Sequence, residues 1–318
     1  MIEKKVKWGV LGFARIAMTS IIPAMIKSDN SEFIAVASRD SAKLDTCCSL
    51  FGERKKYSNY DTLLNDPDID AVYIPLPNSM HREWACKAME RGKHVLCEKP
   101  ISLTAHECDE MIECSVKNKV VLMESFMYQY SESVKISCKL VKEGVIGDLR
   151  QISSTFRFFL DRPGNIRLQP ILGGGSLYDV GCYPVHYIGL LMNSLPVAKK
   201  AEAVFEQGVD TQFCGVLRYE NGVIANVNCG FNAFREQHSR IIGTKGIINV
   251  PDTFAGKKGV VSVITDSECK EIEVGECDRY REVVTNFSNA LLGKPAELVP
   301  LENTLRNMRI IEGLLGAV

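Results

Sequence analysis

The 318-residue sequence predicts an α/β protein in two parts: a doubly wound parallel sheet over residues 1–124, then an α+β half over residues 125–318 built on a large, open, mostly antiparallel sheet. Three observations carry this expectation. Continuous apolar runs alternate with helically spaced segments as far as Ser125. Long, alternating runs punctuated by turn residues dominate after it. The turn "GVLGFARIA" joins the first apolar run to the first helical segment.

The elements follow in order. "VKWGVLG" reads as a strand, "ARIAMTSIIPAMIKS" as a helix, "EFIAVAS" as a second strand and "SAKLDTCCSLFG" as a helix ended by Gly52. "IDAVYIPLP" is a strand, "SMHREWACKAMERG" a helix with Gly92 past its end, and "HVLCEKP" a strand. "LTAHECDEMIECSVKN" is a helix and "VVLMES" the strand after it. Strands apolar on both faces require helices on both faces, the Rossmann arrangement, in which ligands sit outside the carboxyl ends of the strands. Beyond the helix "SESVKISCKLVKEG" the predicted strands are "DLRQISSTFRFFL", "VAKKAEAVFEQG", "DTQFCGVLRYENGVIANVNCGFN" and "HSRIIGTKGIINV". Asn221-Gly222 marks a hairpin. "LENTLRNMRIIEGLLGAV" is an amphipathic final helix expected to pack back on the body.

Composition excludes several classes. A net charge of −1 offers no basic field to nucleic acid or to a membrane surface. No apolar run approaches the roughly 18 residues of a membrane span. The amino terminus passes almost directly into a strand, so no signal peptide is expected. The 12 cysteines include no C-x-x-C pair, so free thiols in a reducing cytoplasm are expected, with no metal site.

Five stretches carry the candidate chemistry. In Gly12-Phe13-Ala14-Arg15-Ile16-Ala17, the first glycine of a dinucleotide fingerprint is present and alanine replaces the other two. The second strand ends in Ser38, Arg39 and Asp40. A hydroxyl and a guanidinium suit a 2′-phosphate and favour NADP(H). Two alternatives stay open: a solvated Arg39, and Asp40 as the ribose acid of an NAD enzyme. "PLPNSMH" turns a strand into a helix through Pro75, Leu76 and Pro77, with Asn78 as a candidate N-cap and His81 beyond it. It either lines the cofactor cleft or is only a well-made helix start. "EKP" puts Glu98 and Lys99 at the carboxyl edge of the sheet, where a fixed cation can stabilise a carbonyl oxygen that gains charge. Pro100 fixes the direction of the chain, through a cis bond if needed. The alternative is a surface ion pair. In "GGGSLYDVGCYPVHYIGLL", Asp179, Tyr183 and His186 share one helical face. Tyr183 can donate a proton there, with Lys99 lowering its pKa. Against this stand a capping box, Ser176-x-x-Asp179, and a purely structural His186. Arg162 and Arg167, in the loop before the glycines, either meet an anionic group or are solvated.

In order along the chain, "GVLGFARIA", "VASRD", "IDAVYIPLPNSMH", "GKHVLCEKPISL", "ESFMYQY", "GVIGDLRQI" and "GGGSLYDVGCYPVH" resemble the glucose–fructose oxidoreductase / inositol dehydrogenase / MocA (Gfo/Idh/MocA) family over nearly the whole length. The resemblance implies a nucleotide-binding domain followed by an open sheet that often forms a dimer contact. It implies NAD(P)-linked oxidation or reduction of a sugar, cyclitol or related substrate. It places the catalytic lysine on Lys99, the motif aspartate on Asp179 and the general acid/base on Tyr183. These three, with Arg167, are the expected substrate contacts. Gly12, Phe13, Ala14, Arg15, Ile16, Ser38, Arg39, Pro75, Leu76, Asn78, His81, Glu98 and Lys99 are the expected cofactor contacts. Gln129 stands where many relatives carry arginine. The expectation is a cytoplasmic, homo-oligomeric NADP(H)-dependent oxidoreductase, NAD(H) being possible. The alternatives are a nucleotide-sensing regulator of the same fold and an NAD-linked diol dehydrogenase.

Overall fold

The computed structural model describes residues 4–162 and 164–318. The chain forms two compact units. One comprises Met1–Ser102, His106–Phe126 and Tyr280–Leu301; the other comprises Leu103–Ala105, Met127–Arg279 and Glu302–Val318.

The first unit contains β1 (Val6–Leu11), β2 (Ser31–Ala37), β3 (Lys55–Tyr57), β4 (Ala71–Ile74), β5 (His94–Cys97) and β6 (Leu122–Glu124), with helices α1 (Ile22–Lys27), α2 (Ser41–Phe51), α3 (Tyr60–Leu64), α4 (His81–Glu90) and α5 (Ala105–Asn118). The sheet order is β3-β2-β1-β4-β5-β6 and every pairing is parallel. Strand order therefore reverses between β1 and β4, and the crevice for a ligand opens at that point. β1, β4, β5 and β6 are buried nearly throughout, as continuous apolar runs require. The predicted first helix is interrupted by a π-turn over Ala17–Ile21, just before Pro23, which has no N–H to continue the ladder.

The sequence suggested one cut near Ser125, whereas the compact division is discontinuous. All but the first residue of α8 (Arg279–Leu291) lies in the first unit. The reason is Trp8 of β1. Its ring is fully buried, 5.2 Å from that of Phe287, and its indole N–H donates to Ser288 Oγ at 3.2 Å. A buried indole needs both an apolar wall and a hydrogen-bond acceptor, and α8 supplies both.

The second unit contains α6 (Glu132–Lys142), β7 (Leu149–Phe159), α7 (Cys182–Met192), β8 (Ala198–Glu206), β9 (Val209–Arg218), β10 (Ile224–Gly230), β11 (Asn232–Gly243), β12 (Gly246–Pro251), β13 (Gly259–Thr265), β14 (Cys269–Val274) and α9 (Leu301–Leu315). Its strands run in the order β14-β13-β12-β11-β7-β10-β9-β8. All are antiparallel except the β7–β10 pair. Burial alternates along β9, with Phe213 and Leu217 inward and Gln212, Cys214 and Val216 outward, the period of a sheet open on one face. Asn221-Gly222 lies in the β9–β10 connection, where Tyr219 N–H donates to Val223 O at 2.9 Å. α9 buries Met308, Ile310, Ile311 and Leu314. Its Arg306 reaches the carboxyl end of α7, donating to Gly189 O at 3.1 Å and to Asn193 Oδ1 at 2.9 Å.

Among the described residues no helix is long and apolar enough to cross a membrane, and no group of three or more His, Cys, Asp or Glu is arranged for a metal ion.

Candidate active site

The carboxyl edge of the parallel sheet gathers the first set of predicted residues. Gly12 follows β1 with φ +96°, a region L side chains avoid, and its N–H donates to Ala37 O at 2.8 Å. A Cβ there would lie 2.8 Å from Leu76 Cδ2, so glycine lets the β1 and β4 turns approach each other. Phe13 is buried against the edge of Phe51, ring centroids 6.4 Å apart, which leaves Ala14, Arg15 and Ile16 as the more accessible part of the turn.

After β2, Ser38 is buried and Arg39 exposed. Ser38 Oγ accepts the Asp40 N–H at 3.1 Å, and Asp40 Oδ1 accepts the Ala42 N–H at 3.0 Å. Asp40 is thus the N-cap of α2. The cap occupies one carboxylate oxygen of Asp40, and Arg39 and Asp40 are both exposed charged groups of the turn.

After β4, Pro75 is buried and Leu76 half-buried. Asn78 does not cap a helix: it is the first residue of a 3-10 turn, Asn78–Met80, whose N-cap is Pro77. His81 departs from expectation as well. Its ring is fully buried, with Nδ1 2.8 Å from Pro100 O and Nε2 2.9 Å from Leu76 O. Burial lowers its pKa from the ordinary histidine value, although both carbonyl contacts oppose that. Both ring nitrogens therefore lie against backbone carbonyls, and His81 bridges the β4 and β5 turns.

After β5, the buried strand ends on the charged pair Glu98-Lys99. Glu98 accepts the Tyr73 hydroxyl at 2.6 Å and the Lys99 backbone N–H at 3.3 Å. Burial pushes its carboxyl up from the usual range while the Tyr73 hydrogen bond and the Lys99 cation pull it down. The Lys99–Pro100 peptide is cis. Glu124, fully buried at the end of β6, accepts the Ile101 N–H at 3.0 Å. Two carboxylates thus fix the backbone on either side of Lys99, whose side chain is half-buried at the sheet edge.

The second unit holds the other set. Asp179 and Tyr183 lie on the π-turn Leu177–Gly181 and the start of α7. The capping box is absent: Ser176 donates its hydroxyl to Asp210 Oδ2 at 2.6 Å and makes no side-chain cap. Asp179 is instead paired with Arg167, whose Nε lies 2.5 Å from its Oδ2. The carboxylate raises the Arg167 pKa. Arg167 is therefore not merely a solvated residue. Its carbonyl also accepts the Gly175 N–H at 2.9 Å, so Arg167 holds both the glycine loop and the π-turn after it. Arg162 is exposed.

Tyr183 is 4% exposed, walled by the rings of Phe156 at 5.2 Å, Tyr128 at 5.5 Å and Phe254 at 5.6 Å. Its hydroxyl is 3.6 Å from the Met127 thioether, a weak acceptor. His186 sits deeper, its Nδ1 2.7 Å from the Tyr128 hydroxyl. Burial, with the Arg306 cation second, lowers its pKa to about 3. The ring is therefore neutral at neutral pH.

Sequence reasoning missed Tyr73, Glu124 and Asp210. Asp210 left no signal in the pattern: it has the parity of the outward Gln212, Cys214 and Val216, yet it is buried.

Comparison with known proteins agrees with this geometry. Residues 6–126 match the Gfo/Idh/MocA family, described as an oxidoreductase family with an NAD-binding Rossmann fold, and residues 137–249 match a Gfo/Idh/MocA C-terminal domain. The D-xylose 1-dehydrogenase (NADP(+)) 2 of Haloferax volcanii is 35% identical over 315 residues, covering 96% of this chain and 95% of its own. A dTDP-3,4-didehydro-2,6-dideoxy-alpha-D-glucose 3-reductase of Saccharopolyspora spinosa is 34% identical over 90% of this chain and 87% of its own. The crystal structure of a 3-ketoreductase from Actinomadura kijaniata in complex with NADP and TDP-benzene is similar at a TM-score of 0.90, with 27% identity, covering 99% of this chain and 98% of its own. The chain belongs to the Gfo/Idh/MocA family of oxidoreductases.

Proposed function

We propose that this oxidoreductase uses NADP(H) and acts on a carbonyl or hydroxyl of a sugar, cyclitol or related cyclic polyol. The observation that carries the reading is the fixing of Lys99 at the carboxyl edge of the parallel sheet by the Glu98–Tyr73 and Glu124–Ile101 hydrogen bonds. An ammonium held there suits an oxygen that gains charge.

The residues fit a dinucleotide. Gly12 supplies a turn only glycine adopts easily, and the accessible Arg39 beside the Ser38 hydroxyl is the donor set a 2′-phosphate needs. NADP in the Actinomadura structure and in the name of the Haloferax enzyme supports the same choice. When bound, the nicotinamide gives or takes the hydride. In reduction the Tyr183 hydroxyl gives its proton to the substrate oxygen, and in oxidation the deprotonated Tyr183 takes it back. Lys99 stabilises the negative charge on that oxygen. Asp179, oriented by Arg167, accepts hydrogen bonds from substrate hydroxyls. The aromatic walls around Tyr183 exclude water from its hydroxyl.

Twelve scattered cysteines with no C-x-x-C pair suit a reducing cytoplasmic setting. Exposed Val204, Phe205, Val216 and Ile224 on the second sheet support a homodimer formed through that sheet.

The test is a panel of aldoses, keto-sugars and cyclitols with NADP(H), run on the wild type, Lys99→Ala and Tyr183→Phe. Turnover is expected to fall by about 10²–10⁴-fold in both variants while NADPH still binds. Near-normal turnover in both contradicts the assignment. NADPH binding with no turnover across the panel favours a nucleotide-sensing protein.

A further inference from the structure

Asp210 has no place in the chemistry above, yet it is 3% exposed and charged residues are rarely so buried without a task. It lies near the start of β9, on the strand that faces the glycine loop. One oxygen, Oδ2, accepts two hydrogen bonds from the segment that leads into α7: the Ser176 hydroxyl at 2.6 Å and the Leu177 N–H at 2.8 Å. The other oxygen defines the space at Gly175. That glycine has φ +120°, and a Cβ on it would lie 2.3 Å from Asp210 Oδ1. The segment has no cap of its own, since the Ser176 side chain is committed to Asp210. A helix start leaves N–H groups without intrahelical partners and carries positive partial charge, so a carboxylate from a neighbouring strand can do the work of an N-cap. Four residues beyond Gly175 comes Asp179, and four further Tyr183.

We infer that Asp210 is a positioning residue: a carboxylate supplied from β9 that pins the Gly175–Leu177 turn and so sets where Asp179 and Tyr183 stand. The inference rests on the roles proposed for those two side chains. It also accounts for two sequence features that the chemistry leaves unexplained, the third glycine of "GGGS" and the serine after it. Gly175 makes room for the carboxylate, and Ser176 is its partner instead of half of a capping box.

The experiment is hydrogen–deuterium exchange on the full chain saturated with NADPH, comparing wild type, Asp210→Ala, Asp210→Asn and Ser176→Ala. Asp210→Ala is expected to speed exchange over residues 175–183 by about tenfold, the fold-change of one or two lost hydrogen bonds, while the β9–β10 amides stay within about twofold. Asp210→Asn keeps an oxygen that can accept both donors and should restore protection to within about threefold. Ser176→Ala should give a smaller rise over the same residues. If Asp210→Ala does not fold, Ser176→Ala carries the test on the same terms. Unchanged exchange over 175–183, a rise spread equally across the second sheet, or failure of Asp210→Asn to rescue each overturns the inference. For a panel sugar whose turnover Tyr183→Phe abolishes, Asp210→Ala should lower kcat about tenfold at unchanged NADPH affinity, with rescue by Asp210→Asn; an unchanged kcat overturns the inference. If Tyr183→Phe leaves turnover intact, the functional assignment has failed, and the exchange result alone decides whether Asp210 pins the turn.

Discussion

His186 shares a helix with Tyr183, and its titration separates a structural histidine from a catalytic one. The ring is 2% exposed and its pKa is lowered to about 3, by burial first and by Arg306 second. An unfolded histidine titrates near 6.5. The sign follows from these two values. Below about pH 6.5 the unfolded chain binds a proton that the folded chain refuses until about pH 3, so stability is complete above the unfolded pKa and lost as pH falls through that window. At about 1.4 kcal/mol per pH unit, His186 alone costs about 2 kcal/mol between pH 7 and pH 5. His186→Asn keeps a polar atom for the Tyr128 hydroxyl and does not titrate. Urea unfolding of both proteins at the two pH values isolates the term, because carboxylates and the other histidines cancel in the difference. Wild type should lose about 2 kcal/mol more than the variant. Parallel losses, within about 0.5 kcal/mol, refute the buried neutral ring and reopen His186 as an acid or base.

Two more predictions concern residues around the half-sites. Arg167→Gln removes the cation that orients Asp179; with Arg167 40% exposed the pair is discounted to about 1 kcal/mol, so substrate KM should rise about fivefold with NADPH affinity unchanged, and an unchanged KM contradicts the pairing. His81→Ala leaves the Leu76 and Pro100 carbonyls without the ring that bridges them, which should cost about 2–4 kcal/mol in urea unfolding, and a loss under about 0.5 kcal/mol contradicts the bridge.

Much of the architecture was legible in the sequence because period and burial agree there. Strands such as Val6–Leu11 and Ala71–Ile74 are apolar throughout and could only be covered on both faces. β3 was not legible: three residues, Lys55–Tyr57, carry too little pattern, and the strand forms because β2 offers it an edge. β13, β14 and α8 were missed for a related reason, as their pairing and packing partners are distant in sequence. At the site, residue types in order marked Lys99, Asp179 and Tyr183. What each side chain touches was not readable. Asp179 fits a capping box by spacing but pairs with Arg167, and the spacing around His81 does not show that both its ring nitrogens lie on carbonyls. Hydrogen-bond partners are set by tertiary approach, and no local spacing encodes them.

The most direct test of the central claim is a pair of fluorescence titrations, NADPH and NADH, on the wild type and on Arg39→Ala. The account predicts NADPH bound at least about tenfold more tightly than NADH by the wild type, and a loss of about 10–100-fold for NADPH alone on removing the guanidinium. Equal affinities for the two cofactors, or an Arg39→Ala protein that still prefers NADPH, contradict it.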